Sequence, residues 1–402
     1  MLQLKSIIPA FALGALMALA SCTSHKPAPS ADKQLQTHAA QTLDSLYAHF
    51  GVKGTLLLRE EFPFETGDNG EVDPNVRQYA YLWPYASTFA AVNALYEATR
   101  DTTYKALLDR RVLVGLHTYF DTDRMPVGYA SYIPIRPRPD RYYDDNCWVG
   151  QEFVNLYLCT RDTKYLDSAL TAWDFVKSGM DDTFGGGIYW CEQTRNSKNT
   201  CSNAPAAVLA LKLFQATKDS TYLHAGITLY EWVKSHLQDP ADHLLFDDIK
   251  KEGGPAGTLG KAKFAYNSGQ MMQAAALLNR FTGQPSYLEE AQRIAESCYN
   301  YFFTDYTSET GEQLRMFKSG DIWFTAVMLR GYVELYRQDG NRKYIDTYDR
   351  NLEYAWNHAR NENGLFNADL TGRFRDNKKL LINQSAMIEM YARVASLREQ
   401  RE

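Results

Sequence analysis

Two adjacent aspartates, Asp144 and Asp145, stand among aromatic residues in the stretch RYYDDNCWVG at positions 141–150. Two carboxylic acids at one point suit glycoside hydrolysis, because one can attack the anomeric carbon while the other protonates the leaving oxygen. Their mutual repulsion would raise the pKa of one carboxyl and keep that group protonated. We therefore consider Asp144 and Asp145, called the carboxyl pair below, as candidate catalytic residues.

The same pattern also suits the start of a helix. Asp is a common N-cap, and the helix dipole favours negative charge in the first turn. The chain contains two further adjacent pairs, Asp181–Asp182 and Asp247–Asp248. An Asp-Asp sequence alone is therefore a weak indication, and the position of each pair in the fold has to decide.

Five segments repeat along the chain and set the architecture. Each runs from an apolar helix end through a short polar turn to a tyrosine that opens another helix, and the aligned tyrosines are Tyr104, Tyr165, Tyr222, Tyr287 and Tyr344. Their spacing of roughly 60 residues is typical of one antiparallel helix pair with its connections.

The two helices of each pair differ in pattern. The helix before each turn, such as NAPAAVLALKLF, is apolar on nearly all sides, whereas the helix after it, such as YLEEAQRIAESCYNYF, is amphipathic. The first kind should be buried and the second should lie outside. With an outer helix near 34–50 and an inner helix near 381–398, we predict an all-α (α/α)6 toroid of six antiparallel inner/outer helix pairs, forming a single domain over 34–402. An open solenoid is the alternative.

The connections are unequal in length. Inner-to-outer turns are short, but outer-to-inner connections run over about 15–30 residues, and connections this long are usually functional. All of them should lie at the end where the inner helices begin. Asp144 and Asp145 fall at such a start, whereas the other two aspartate pairs fall early in their loops, so we place only the carboxyl pair in the site. We interpret EGGPAGTLGKAK as a flexible lid.

Further polar and aromatic residues fall at the starts of inner helices. Amides and carboxylates bind hydroxyl pairs and indoles stack on sugar rings, so these residues predict a carbohydrate cleft. Each Asn could instead be a helix cap and each aromatic a core residue. The predicted substrate contacts are Trp83, Tyr143, Trp148, Asn203, Tyr266, Asn267, Asp321 and Trp323.

The N-terminus has the pattern of a targeting segment. Lys5 precedes the apolar stretch IIPAFALGALMALA, and the segment ends in LASC. This pattern resembles a lipobox, so we expect a lipoprotein signal peptide over 1–21, lipidation of Cys22 and a tether over 22–33. A simple secretory signal is the alternative. We expect an outer membrane lipoprotein on the periplasmic or cell-surface side, held at the membrane through its lipid only. Whether Cys191 and Cys201 form a disulfide stays open.

The composition of the chain favours some classes of ligand and excludes others. The net charge is −5 and no basic stripe is present, so nucleic acid is not an expected partner. No cluster of His, Cys and Asp has the spacing of metal ligands, so we expect neither a metal nor another cofactor. Tyr and Trp are abundant and suit a neutral glycan. We expect a monomer.

Several motifs together resemble glycoside hydrolase family 76, the endo-α-1,6-mannanases. YDDNCW, FGGGIYWC, NTCSNAPAA, AYNSGQ and FKSG occur in this order, and the resemblance covers most of the chain after about position 40. It implies an (α/α)6 fold, α-mannan as substrate and a retaining mechanism with Asp144 as nucleophile and Asp145 as acid/base. Trp148 and Asn203 match positions near the family's cleft. SNAP and FKSGDI depart from the family's SNGG-like and FKGI-like stretches.

Two rival functions remain at this point. An (α/α)6 sugar epimerase would use histidines at the starts of inner helices, and none of the eight histidines lies there. A non-catalytic glycan-binding lipoprotein would keep the aromatic residues but has no need of adjacent carboxylates.

Overall fold

The computed structural model describes residues 31–64, 77–134, 137–252, 254, 256–318 and 320–398. Within these residues the chain is built mainly from helices that alternate between an outer and an inner layer. In chain order they are α1 (Ala31–Phe50), α2 (Leu82–Thr99), α3 (Thr102–Leu107), α4 (Leu113–His117), α5 (Tyr143–Thr160), α6 (Thr163–Lys177), α7 (Thr200–Thr217), α8 (Ser220–Leu237), α9 (Ala265–Thr282), α10 (Pro285–Phe302), α11 (Ile322–Asp339), α12 (Lys343–His358) and α13 (Leu381–Arg398).

The inner helices α2, α5, α7, α9, α11 and α13 close into a ring. Each of them packs against the next, and α13 packs back against α2. All six span 18 residues, which corresponds to a length of about 27 Å. The predicted (α/α)6 toroid is therefore confirmed, and the open solenoid is not what the chain forms.

The burial of each layer follows its sequence pattern. In inner helix α7 every residue from Thr200 to Leu211 is buried, as expected for a helix that is apolar on all sides. In outer helix α12 the buried residues, such as Tyr344, Tyr348 and Leu352, recur at helical spacing on one face. The second outer helix consists of α3 and α4 joined by a π-helical segment, Leu108–Val112.

The short inner-to-outer turns have a common construction. The inner helix ends on a left-handed residue, and in three of the turns an Asp then caps the outer helix. At Arg161 φ is 63°, and Asp162 accepts a hydrogen bond from the backbone N–H of Lys164 at 3.2 Å. Two residues therefore suffice to reverse the chain, which explains the tight turns at this end.

The long connections all lie at the opposite end, and their described parts carry nine short strands. They are β1 (Glu61–Phe62), β2 (Phe120–Asp121), β3 (Gly128–Tyr129), β4 (Ser197–Asn199), β5 (Phe246–Lys250), β6 (Thr258–Lys263), β7 (Phe303–Thr307), β8 (Gln313–Phe317) and β9 (Lys379–Leu380). Antiparallel pairing joins β1 to β9, β2 to β3, β4 to β5, β5 to β6, and β7 to β8. The β1–β9 pair therefore links the first connection to the last, and the β4–β5 pair links the third to the fourth.

One sequence interpretation needs correction here, and one open question is answered. The segment that we interpreted as a flexible lid forms strand β6, which is held by β5 in a three-stranded sheet, although residues 253 and 255 lie outside the described residues. Cys191 and Cys201 are free thiols, as are Cys147, Cys159 and Cys298.

The N-terminal predictions fall largely outside the described residues. The proposed signal peptide, Cys22 and most of the tether lie there, and α1 begins at Ala31, three residues before the boundary at 34. Among the described residues, the helices are either too short or too polar to cross a bilayer.

Candidate active site

A cleft of about 1550 Å³ opens at the end of the toroid that carries the long connections. Each of the six connections contributes to its wall, through residues such as Tyr79, Tyr132, Trp190, Asp247, Asp321 and Leu380. The ends of the inner helices form its floor. The cleft therefore lies where the loop lengths predicted it.

The carboxyl pair lies in the first turn of α5 and faces this cleft. Tyr142 is the N-cap, and its side chain makes no capping bond, so neither aspartate is the cap of the helix. Both Asp144 and Asp145 line the cleft. The helix-cap alternative therefore does not describe these two residues.

The segment before the carboxyl pair is fixed to the third connection. The backbone N–H of Tyr143 donates to the carbonyl of Trp190 at 3.0 Å, and that of Glu192 donates to the carbonyl of Arg141 at 3.0 Å. The guanidinium of Arg141 is completely buried and its Nε donates to Glu192 Oε2 at 2.7 Å. This buried charged pair fixes the start of α5 against the loop that carries Trp190.

Asp144 accepts several hydrogen bonds, but its pKa is still raised. Its Oδ2 accepts from Trp190 Nε1 at 3.3 Å, and it also interacts with the Cys201 thiol and the backbone N–H of Asp145. Burial raises the pKa of Asp144 to about 6, and these donors limit the rise because they favour the carboxylate.

Asp145 is the more strongly protonated member. Burial raises the pKa of Asp145 well above its usual range, and the negative charge of Asp144 raises it further. The side chain of Asp145 is almost wholly buried. Because the two groups titrate together, these shifts favour an ionised Asp144 beside a protonated Asp145, which is the arrangement that a nucleophile beside an acid requires.

Aromatic side chains surround the carboxyl pair. Trp323 is met edge-on by both Trp83 and Trp148, each with ring centroids 5.2 Å apart. Tyr266 adjoins Trp323 at 5.8 Å. The structure thus brings together five of the eight predicted contact residues in the cleft wall: Trp83, Trp148, Tyr266, Asp321 and Trp323.

The other three predicted contacts lie behind the wall, and their roles need correction. Tyr143 is completely buried, stacks on Phe175 and accepts a hydrogen bond from Arg195. Asn203 is buried and bonds the backbone N–H and carbonyl of Ile188. Asn267 is buried and donates to Asp247 Oδ1 at 3.5 Å. Each of them positions a loop, because helix-start residues point either into the cleft or toward the connections.

Sequence reasoning missed Asp247 and Asp248. We placed this pair away from the site, but both residues line the cleft because strand β5 runs along its edge. Burial, with a contribution from Asp248, raises the pKa of Asp247 to about 6. Gly260 on β6 permits this arrangement, since a Cβ there would lie 2.2 Å from Asp248 Oδ1. The sequence signal that was available is the strand-like pattern of β5 followed by the glycine-containing β6, which together indicate a β-hairpin.

The remaining aspartate pair is structural. Asp181 Oδ1 accepts from Lys198 Nζ at 2.7 Å, and although burial opposes it, Lys198 holds the pKa of Asp181 below its usual range. The same ammonium donates to the carbonyls of Asp181, Thr183 and Gly186, so it fixes the fold of the third connection.

Three polar atoms in the cleft wall have no hydrogen-bond partner in the described part of the chain. They are Asp144 Oδ1, Asp248 Oδ1 and Trp323 Nε1, and all three are buried. Buried polar atoms without partners cost free energy, and they concentrate at functional sites. No histidine is among the described residues that line the cleft, so the epimerase alternative has no base there.

Comparison with known proteins gives matches to one family. Residues 61–321 match the model of glycosyl hydrolase family 76. A glycoside hydrolase family 76 mannosidase from Bacteroides thetaiotaomicron VPI-5482 is 32% identical, with a TM-score of 0.84 over 92% of this chain and 100% of that chain.

Two further relatives are more distant. A mannan endo-1,6-alpha-mannosidase from Candida glabrata is 27% identical over 240 residues, which are 55% of this chain and 50% of the relative, so this chain spans about half the length of that protein. An inactive variant of an alpha-1,6-mannanase from Salegentibacter sp. HEL1_6, with two consecutive aspartates replaced by asparagine, was solved with alpha-1,6-mannotriose. It shares the fold, with 24% identity and a TM-score of 0.73 over 90% of this chain and 99% of that chain. The match over 61–321 and the similarity along the whole Bacteroides mannosidase show that this chain belongs to glycosyl hydrolase family 76.

Proposed function

We propose that this protein hydrolyses α-1,6-mannosidic linkages in the backbone of mannan by a retaining double displacement. The observation that carries the proposal is the carboxyl pair, two adjacent acids that line an open cleft, and burial raises the pKa of both. The names of the relatives support the linkage and the sugar.

In the first step the Asp144 carboxylate attacks the anomeric carbon and forms a glycosyl ester. The bond to the leaving oxygen breaks, and that oxygen takes the proton of Asp145. In the second step the Asp145 carboxylate removes a proton from water, the water oxygen attacks the anomeric carbon, and Asp144 leaves as a carboxylate. Neighbouring residues suit the carboxyl spacing of about 5–5.5 Å that retaining enzymes use.

The surroundings of the carboxyl pair fit each step. Trp190 donates to Asp144 and stabilises it as a leaving carboxylate. Asp145 has no cation to pair with among the residues described, so it keeps its proton until the leaving oxygen takes it.

The cleft also offers groups for sugar recognition. The exposed rings of Trp83 and Trp190 provide faces for pyranose rings, and the carboxyls of Asp247 and Asp321 accept from hydroxyls. A non-catalytic binding protein would need these residues but not the carboxyl pair, so hydrolysis is the better supported function.

Incubation with linear α-1,6-mannan tests the proposal. We expect manno-oligosaccharides in thin-layer chromatography from the wild type and none from Asp144→Asn or Asp145→Asn. An α-1,6-glucan is the matched substrate control, since it keeps the linkage and changes the sugar. The absence of products from the wild type, or unchanged activity of both variants, would disprove the proposed function.

We also propose that the protein is an outer membrane lipoprotein anchored through Cys22, on the periplasmic or cell-surface side. The support is the sequence LASC after an apolar segment. Cys22→Ala should release the protein from the membrane fraction with unchanged specific activity, whereas Cys159→Ala, which removes a different thiol, should stay bound. Membrane retention of the Cys22 variant would contradict the anchor.

A further inference from the structure

A second, smaller hollow lies beside the cleft at the same end of the toroid. It has a volume of about 240 Å³ and is lined by residues within 304–306, 316–318, 320–325 and 368–374, which we call the side hollow. Sites for drug-sized ligands usually measure roughly 300–1,000 Å³, so the side hollow suits a ligand of about one ring.

The cleft and the side hollow share one wall, the segment that opens α11. Gly320, Ile322 and Thr325 line the side hollow, whereas Asp321 and Trp323 line the cleft. A single short segment therefore separates the two spaces. A polymer that leaves the cleft across this segment reaches the side hollow directly.

Phe374 marks the side hollow as a binding surface. Its side chain is 75% exposed, which is unusual for a large apolar group. Among the described residues, the other exposed aromatic side chains are Tyr81, Trp83 and Trp190, which line the cleft, and Tyr301, which lies beneath Lys318. Three of these four exposed rings thus belong to a surface that offers faces to a ligand.

The exposed position of Phe374 is built by the turn that carries it. Asp369 accepts hydrogen bonds from the N–H of Thr371 at 3.0 Å and from the N–H of Phe374 at 2.9 Å. The Thr371 hydroxyl also donates to Asp369 at 2.7 Å. Because the turn is held in place before a ligand arrives, binding to Phe374 costs little ordering entropy.

Polar groups complete the surface. Arg373 lies over the Tyr306 ring at 4.6 Å, and Lys318 lies over the Tyr301 ring at 5.0 Å. Arg373 donates one hydrogen bond to the carbonyl of Thr307 at 3.3 Å, and the further N–H groups of its guanidinium can reach hydroxyl oxygens, as can the ammonium of Lys318. A ring face with hydrogen-bond donors at its edge matches a pyranose.

We propose that the side hollow binds a pyranose unit of the same glycan that occupies the cleft, with the ring on Phe374 and hydroxyls near Arg373 and Lys318. This inference rests on the proposed function, which supplies the glycan. It extends the contact with substrate beyond the catalytic cleft, so polymers gain more from it than short oligosaccharides.

The test compares two ligands in the background that lacks both catalytic carboxyls, Asp144→Asn with Asp145→Asn. Titration calorimetry measures the Kd of polymeric α-1,6-mannan and of α-1,6-mannotriose. Phe374→Ala should weaken polymer binding about 3–10-fold and lower the preference for polymer over mannotriose by a similar factor. Phe374→Trp should restore it.

Val114→Ala is the matched control, since Val114 is another exposed apolar side chain, on outer helix α4. Equal polymer binding by the Phe374→Ala and Val114→Ala proteins would overturn the inference, as would an equal loss for mannotriose. The two proposals fail separately. If the enzyme with both carboxyls hydrolyses mannan but Phe374→Ala changes nothing, only the side hollow is refuted, whereas loss of hydrolysis and binding in the parent proteins refutes both.

Discussion

Helix α5 carries acidic side chains in two opposite surroundings. At its start, Asp144 and Asp145 face the cleft and have no cation within 4 Å in the described residues, and burial raises the pKa of both. Two turns further on, Glu152 lies 3.1 Å from Arg330. Arg330 also pairs with Glu389 at 2.7 Å, and so does Arg393. We call Glu152, Arg330, Glu389 and Arg393 the core ion network.

The two regions use their acidic side chains in different ways. Although burial opposes it, Arg330 and Arg393 hold the pKa of Glu389 at about 2, so Glu389 keeps its charge at physiological pH. The carboxyl pair lacks such partners and therefore exchanges protons near neutral pH. The paired charges of the core ion network stabilise the toroid, whereas the unpaired carboxyls of the carboxyl pair can donate and accept protons.

The largest expected effect is on catalysis. Asp144→Asn and Asp145→Asn should each lower kcat on α-1,6-mannan by on the order of 10³-fold or more, because nucleophile and acid each act in the transition state. Steady-state kinetics of purified proteins measures this. Glu152→Gln, on the same helix but outside the cleft, is the comparison, and a similar loss of kcat per folded molecule there would abolish the distinction between the two sets of acids.

The second effect is on stability and affects the core ion network. Arg330→Met leaves two buried glutamates short of a partner and should reduce the free energy of unfolding by about 3–5 kcal/mol. Denaturant titration measures the change. Arg350→Met, which breaks an exposed pair with Glu312, should cost less than about 1 kcal/mol. Equal losses from the two substitutions would show that the network does not hold the toroid together.

The third effect has the opposite sign and tests the carboxyl pair. A carboxyl whose pKa is raised by folding lowers the free energy of unfolding of the protein as pH rises from 3.8 toward the folded-state pKa. For Asp144 that pKa is about 6. The double variant Asp144→Asn with Asp145→Asn should therefore be more stable than the wild type above pH 6, by roughly 1–3 kcal/mol. Below pH 4 this gain should vanish. A variant that is less stable at pH 7 would mean that the ionised pair is not under strain.

The smallest effect concerns the hydrogen bond to Asp144. Trp190→Phe removes the Nε1 donor, and since that donor favours the carboxylate, the pKa of Asp144 should rise. The acidic limb of the kcat/KM profile, near pH 6 in the wild type, should then move to higher pH, with about a tenfold loss at the optimum. An unmoved limb would show that Trp190 serves only as a sugar platform.

The fold and five of the eight predicted contact residues could be inferred from the sequence, and both inferences depend on the repeat. The repeat of apolar helix, polar turn and tyrosine is local, and it defined six pairs before any contact was known. The catalytic role of Asp144 and Asp145 remains a prediction, but their place in the cleft followed from the same repeat.

The remaining site residues depend on how the connections fold. Asp247 was missed because its place depends on the pairing of β5 with β6, and we interpreted the glycine-containing sequence of β6 as a flexible lid. Tyr143 and Asn203 were expected in the cleft, yet they face the third connection, because helix-start positions alone do not fix the direction of a side chain. A local repeat can therefore be recognised without knowledge of long-range contacts, whereas the position of a site residue on a loop cannot.

The roles of the two carboxyls are tested most directly by the configuration of products formed with azide. Asp145→Ala acting on an activated α-mannoside should yield the α-mannosyl azide, because azide attacks the glycosyl ester on Asp144 from the face of the missing base. Asp144→Ala cannot form that ester, so it should yield the β-mannosyl azide by direct displacement. Proton NMR distinguishes the two anomers. A β-mannosyl azide from the Asp145 variant would contradict the assignment of Asp144 as nucleophile and Asp145 as acid/base.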